Sequence, residues 1–168
     1  MVFNWADSYD AKVKFLIPIF ASKQLIRSKT GLGPPPEYSR PTLLVDYTSI
    51  GKSRWEAMPT ADFIAMVTDD DFLGDPCIKT QHLIGASRWV KVSDHFVIGY
   101  HQLRAAHQVY TGPDLKTVKL RGHSHATNEH YYQKTADGAW KFAGLKPTVR
   151  WNEHEFEKVF KGSFRPQL

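Results

Sequence analysis

A chain of 168 residues fits one domain on a prior of ~100–200 residues per domain, and it can bury a core without disulfide or metal staples. Hydrophobic residues at 42% and aromatics at 13% are globular proportions, and no apolar run approaches the ~18 residues of a membrane span. A single cysteine, Cys77, excludes an intramolecular disulfide and any cysteine-built zinc or iron–sulfur site within the chain, which suits a reducing compartment. The start, MVFNWADSYD, reads as neither a signal nor a transit peptide, so a cytoplasmic location is expected. The net charge of +5 and pI near 9.3 invite a nucleic-acid reading. Much of the excess, however, sits in KQLIRSK (23–29) and in the tail KVFKGSFRPQL, with mixed signs between. Solvated surface lysines and arginines are the simpler reading, and no nucleic-acid partner is expected.

In chain order, VKFLIPIFASKQLI (13–26) fits neither a clean helix nor a clean strand, and TGLGPPPEYSRP (30–41) reads as a loop or arm, because three consecutive prolines exclude helix. TLLVDYTSI (42–50) is β-branched and aromatic and predicts a strand. In RWEAMPTADFIAMVTDDDFLG a helix starts at Thr60, with apolar Phe63, Ile64, Met66 and Val67. Four strand-like stretches follow, at 79–93, 96–110, 118–135 and 139–151, joined by short turns. WNEHEFEKVF (151–160) spaces Trp151, Phe156, Val159 and Phe160 as a C-terminal helix would. This order predicts a single α+β domain in which a curved sheet wraps a pocket and helices cover one opening. It excludes a doubly wound parallel sheet, and no phosphate-binding glycine loop is present.

RGHSHATNEHYYQK (121–134) concentrates histidines, and strand parity sorts them. His123, His125 and Thr127 share one face, and Ala126, Asn128 and His130 share the other. In the preceding strand His101, Leu103, Ala105, His107 and Val109 lie together, as the wall of a concave pocket would. H123-S-H125-x-x-x-E129 matches part of a cupin metal signature, but the glycine six residues before His123 and the second half of that signature are missing. An outward pair on a polar face is the expected role of His123 and His125, and no metal is expected.

A second grouping draws on Tyr9, Asp10, Tyr47, His82, His107 and Asn128, each near an apolar stretch. Histidine suits proton transfer near neutral pH, a carboxylate such as Asp10 can orient an imidazole, and tyrosine hydroxyls can polarise a carbonyl. The stretches WADSYD (5–10), DY (46–47), WEAMP (55–59), LGDP (73–76), TQHLIG (80–85), GYHQLR with HQVY (99–110), GHSHATN (122–128) and WKFAGLKPTVRW (140–151) resemble, in order, the scytalone dehydratase family of fungal polyketide metabolism. The resemblance implies a cone-shaped α+β barrel of a curved, mixed sheet, of the nuclear-transport-factor-2 type, and a homotrimer. It implies a cofactor-independent loss of water from a partly reduced aromatic polyketide, and an association with secondary-metabolite vesicles. Tyr9 and Tyr47 would hold a water on the substrate carbonyl. His82 and His107, with Asp10, would serve as acid–base groups, and Asn128 would bond a substrate hydroxyl. Trp5, Met66, Phe156 and Phe160 would line the pocket and its lid.

There are departures from the family pattern. Ala126 stands where many relatives carry a serine that bonds the catalytic histidine, and Thr127 faces the wrong way to replace it. Ile50 replaces a larger aromatic, and Phe72 a smaller aliphatic, so a changed pocket and substrate are expected. Both a melanin-type precursor of the scytalone or vermelone kind and a reduced anthraquinone or xanthone precursor stay open. Segment 11–41 is longer than the family's link and matches poorly, which is what a gene-model irregularity would produce. Two rival readings are a non-catalytic small-molecule binder of the same fold and a cupin-like metalloenzyme.

Overall fold

The computed structural model describes residues 39–162. Trp5, Tyr9, Asp10 and the first part of the 11–41 segment lie outside the described residues. Six strands and one helix follow in order: β1 (Ser39–Asp46), β2 (Arg54–Pro59), α1 (Thr60–Val67), β3 (Ile78–Ser93), β4 (Phe96–Tyr110), β5 (Val118–Lys134) and β6 (Trp140–His154). They form one sheet in the order β2-β1-β6-β5-β4-β3. Every neighbouring pair is antiparallel except β1 with β6, which run parallel, so the sheet is mixed as expected.

The long strands alternate buried and exposed residues, the pattern of a sheet with one face covered. On β4 His101, Leu103, Ala105, His107 and Val109 are buried, while Gln102 and Arg104 are exposed. On β5 Gly122, Ser124, Ala126, Asn128, His130 and Tyr132 are all buried. Two apolar clusters cap the ends of this covered face. One gathers Leu43, Val45, Met58, Phe63, Tyr132, Phe142 and Leu145, with α1 contributing Phe63. The other gathers Ile78, Val109, Phe156, Val159 and Phe160, with Phe72 and Leu73 against it.

Several expectations need correction. RWEAMP is a strand paired with β1, and Ser39–Pro41 belong to β1 rather than to the proline loop. The strand expected over 42–50 stops at Asp46 and gives way to one 3-10 turn, Thr48–Ile50, because Asp46 accepts hydrogen bonds from both the backbone and the hydroxyl of Thr48. Thr60 does not cap α1; its hydroxyl bonds the Arg40 carbonyl instead. The expected helix over 151–160 is not formed as such. Trp151–His154 continue β6, with Asn152 opposite Ser124 and Glu153 opposite His123, so the ladder outcompetes the helical spacing there. His154, at φ 58°, ends the strand, and only a short 3-10 turn follows, Phe156–Lys158. The helical spacing of Phe156, Val159 and Phe160 survives as the buried side of that turn.

This C-terminal turn closes one end of the covered face. Glu155 N–H donates to the Arg121 carbonyl and Lys161 N–H to the Asp71 carbonyl, while Lys161 Nζ lies 2.6 Å from the buried Asp75 carboxylate. Gly122 allows the approach: a Cβ there would stand 2.4 Å from Val159 Cγ2 and 2.5 Å from Phe156 Cα. Gly144, at φ 145°, plays the matching part where β6 meets β1, since a Cβ would reach within 2.0 Å of the Leu44 carbonyl oxygen. Among the described residues no helix is long and apolar enough to cross a membrane. Gly122→Ala should cost about 1–3 kcal/mol by overpacking the turn, read as a lower urea midpoint; an unchanged midpoint would mean that the turn shifts off the strand freely.

Candidate functional site

Between the two apolar clusters lies a belt of polar side chains on the covered face of β3, β4 and β5. His107, opposite Thr80 on β3 and Gly122 on β5, is nearest the C-terminal turn. His82 on β3 is opposite Ala105. Further along, His101 is opposite Asn128, and His130 stands opposite Gly99 and Leu145. Asn128 is 3% exposed, and its Oδ1 is buried without a hydrogen-bond partner among the described residues. A buried carbonyl oxygen in that state costs free energy unless something arrives to donate to it.

His82 and His107 are brought together edge to face, with ring centroids 5.9 Å apart. The Nδ1 of His107 is 3.0 Å from the Thr80 hydroxyl, which fixes how the ring is turned. Phe160 and Phe156 pack on the same ring at 5.0 and 5.8 Å, and Phe72 lies tilted against Phe160 at 4.7 Å. Burial in this apolar setting pulls the His82 pKa down to about 4, so the ring is neutral at ordinary pH. Phe156 and Phe160 therefore wall His107, with Phe72 behind Phe160.

Tyr47 and Met66 pack against the other cluster, at the β1 end of the belt. Tyr47 is held by its backbone: its N–H donates to the Ser53 carbonyl and its carbonyl accepts from Ile50 and Lys52. Burial raises the Tyr47 pKa, which keeps the phenol protonated as a donor. Ile50 ends the 3-10 turn and is half-buried; that turn is tied to β6 by the Ser49 hydroxyl bonding the Pro147 carbonyl, and Pro147 is opposite Asn128. Ala126 faces inward between Ser124 and Asn128. Thr127 faces outward, where its hydroxyl accepts from Arg150 Nε at 3.0 Å.

Two histidines of the belt stand outside the catalytic and binding candidates read from the sequence, though parity places both on inward faces. His101, 1% exposed, has Nδ1 2.8 Å from the Ser87 hydroxyl and a ring centroid 4.7 Å from His130. His130 has Nδ1 3.4 Å from the Tyr132 hydroxyl, and burial, then His101 and His82, press its pKa down to about 3. Parity had put both on pocket-facing sides. What identifies them is their adjacency across β4 and β5, which one strand's pattern cannot show.

His123 and His125 lie on the outer face, as expected. Glu129 stands roughly 14 Å along β5 from His125, at about 3.4 Å per residue, and accepts from the Tyr131 hydroxyl rather than meeting the histidines. The carboxylate that does meet them is Glu153 of β6, 3.3 Å from His125 Nε2 and 3.6 Å from His123 Nδ1. His123, Glu153 and His154 have ligand-type atoms within 4.8 Å of one another. Arg104 Nη2, however, is 3.0 Å from His123 Nδ1 and 3.9 Å from Glu153, so a fixed cation already neutralises the group, which reads as an ion-pair cluster.

A mixed, cone-like sheet whose covered face carries a belt of buried imidazoles and the Asn128 amide defines an α+β domain of the cone fold. A solved structure supports the fold: the Kfla4162 protein of Kribbella flavida has a TM-score of 0.63 at 16% identity, over 88% of this chain and 91% of that one. Residues 37–166 match the family model described as Scytalone dehydratase. "Scytalone dehydratase-like protein Arp1" of Metarhizium guizhouense is 75% identical over 124 residues, 74% of this chain and 72% of that protein. "Scytalone dehydratase arp1" of Aspergillus fumigatus is 57% identical over 163 residues, covering 97% of this chain and 86% of the relative. The chain belongs to the scytalone dehydratase family.

The depressed histidines couple folding to pH. An unfolded imidazole binds a proton near 6.5, whereas the folded rings do so near 4 for His82 and near 3 for His130. The unfolded state therefore takes up more protons below 6.5, and stability present above that pH is lost as pH falls toward 4. The melting temperature should drop over this window, and His130→Gln should flatten the dependence; parallel profiles for the two proteins would show that other groups control it.

Proposed function

We propose that this protein is a cofactor-independent hydro-lyase that removes water from a partly reduced aromatic polyketide in fungal secondary metabolism. The observation that carries the reading is the His82–His107 pair, 5.9 Å apart, with Phe156 and Phe160 packed on His107 and Phe72 behind Phe160, in a chain of this family. The substrate would be a ring bearing a ketone and a β-hydroxyl. The Tyr47 phenol, kept protonated by burial, together with Tyr9, would polarise the carbonyl and stabilise the charge that develops there. One imidazole of the pair accepts the proton of the C–H bond beside the carbonyl. The carbon–oxygen bond breaks and the hydroxyl leaves as water with a proton returned by the second imidazole, so the pair ends with the protons it began with. Neutral His82 suits the accepting role, and Asp10 would support His107. Asn128, whose buried Oδ1 awaits a donor, would hold a substrate hydroxyl. Trp5, Ile50, Met66 and Ala126 complete the proposed lining.

The Aspergillus relative's name favours a scytalone-type ring, while Ile50, Phe72 and Ala126 keep a reduced emodin-type ring as the second substrate to assay. We further propose a single domain, a homotrimer and an irregular 11–41 segment. Exposed Leu83 and Trp151 on the outer sheet face are of the kind a trimer would cover, and a sedimenting species of one chain mass would contradict it.

Ultraviolet assay with scytalone and with the reduced tricyclic should show turnover of at least one. His82→Ala and His107→Ala should each lower kcat by about 10²–10⁴-fold. Turnover of neither substrate, or indifference to both substitutions, would leave a non-catalytic binding protein of the same fold as the better reading.

A further inference from the structure

The turn that carries Tyr47 is clamped from two sides by groups that take no part in the chemistry described above. Asp46, 3% exposed, ends β1 immediately before Tyr47. Its Oδ1 accepts from the Thr48 N–H at 3.1 Å and from the Thr48 hydroxyl at 2.6 Å. Its Oδ2 lies 3.6 Å from Arg54 Nη1 on β2 and 4.0 Å from Lys146 Nζ on β6. A buried carboxylate is costly unless it is paired and hydrogen-bonded, and here both oxygens are engaged. The Thr48 hydroxyl above all holds the carboxyl below the ordinary carboxylate range, so the charge persists at neutral pH. One side chain therefore joins β1, β2 and β6 to the start of the turn.

The second clamp is Ser49, whose hydroxyl donates to the Pro147 carbonyl of β6, and Pro147 is the residue opposite Asn128. Within the turn the Tyr47 carbonyl accepts from the Ile50 and Lys52 N–H groups at 3.0 and 3.1 Å, and the Tyr47 N–H donates to the Ser53 carbonyl at 3.1 Å. Gly51, at φ 71°, closes the turn with its N–H on the Thr48 carbonyl. Both backbone polar groups of Tyr47 are thus engaged, and its side chain packs against the cluster that includes Leu43, Val45 and Met58. A functional group on a turn is placed only as precisely as the anchors of that turn, and a displacement of about 1 Å can cost ~10²-fold in rate. We propose that Asp46 and Ser49 are the positioning residues of Tyr47. The carboxylate fixes where the turn leaves β1, and the serine fixes how far the turn stands from the strand beside Asn128. The kinetic consequence rests on the dehydratase reading; the placement of the Tyr47 ring does not.

Carbon-13 spectra of the tyrosine Cζ atoms test the placement without turnover, the Tyr47 signal being assigned by its loss in Tyr47→Phe. Removing Asp46 would strip three strands of a shared partner, so its bond is cut from the other end. Thr48→Val, which keeps the shape and removes the hydroxyl, should move the Tyr47 signal, and Ser49→Ala should move it as well, while those of Tyr110 and Tyr132 stay. Thr48→Ser, which returns the hydroxyl, should restore the wild-type position. Thr48→Val and Ser49→Ala should each lower kcat about ten-fold with little change in KM. In a Tyr47→Phe background the same two substitutions should cost nothing further, because their effect passes through the phenol. A Tyr47 signal unmoved by both substitutions would overturn the proposal whatever the kinetics show, and so would a ten-fold loss repeated in full in the Tyr47→Phe background. Absence of turnover in the wild type, with the Tyr47 signal moved by the substitutions, would instead overturn the dehydratase reading and leave the two clamps standing.

Discussion

The register of β4 against β5 is the constraint on which the rest of this structure depends. Fifteen consecutive residues of β4, Phe96–Tyr110, are matched across β5, and the pairing places His101 beside Asn128, Ala105 beside Ser124 and His107 beside Gly122. Because side chains alternate, a one-residue slip of β5 would turn Ser124, Asn128 and His130 outward and bring His123, His125 and Glu129 into the interior. Burying those groups is far costlier than burying neutral imidazoles, so the same alternation that builds the belt also excludes its nearest competitor.

Desolvation links the stability of the belt to its chemistry. His82 and His130 are held neutral because the apolar clusters on either side exclude the water that would stabilise a charge. A neutral ring can accept a proton, and a tyrosine kept protonated by the same exclusion can donate a hydrogen bond. The arrangement loses stability in acid, because the unfolded rings take up protons that the buried rings do not. A small residue permits the crowding: Gly122 admits the C-terminal turn against β5 beside His107.

The outer face shows the same residue types under different physics. His123 and His125 are only partly shielded there, paired with Glu153, with Arg104 beside the cluster and the Trp151 ring stacked 4.5 Å from His125. Trp151 is still 55% exposed, so this face is polar and aromatic rather than closed. Imidazoles on opposite faces of the same sheet thus become a buried belt on one side and a charge network on the other.

How much was legible in the sequence follows from range. Period-two alternation is local, so β3, β4 and β5, the inward set His101, His107, Asn128 and His130, and the outward pair His123 and His125 could all be read from spacing. Residue motifs carried the family, since TQHLIG, HQVY and GHSHATN stand in order along the chain. Competition between local preference and distant pairing could not be read that way. Trp151–His154 have helical spacing yet lie in β6 because β5 offers a ladder of hydrogen bonds, and RWEAMP became a strand because β1 was available to pair with it. Glu153 as the partner of His125, Thr80 as the partner of His107, and the row from His82 through Ala105 to Ser124 and Asn152 join residues up to about seventy positions apart, and only strand order and register set them side by side. The sequence by itself determined which side chains face inward, because alternation is a property of one strand. Tertiary structure decided which of them meet, because that depends on which strands are neighbours.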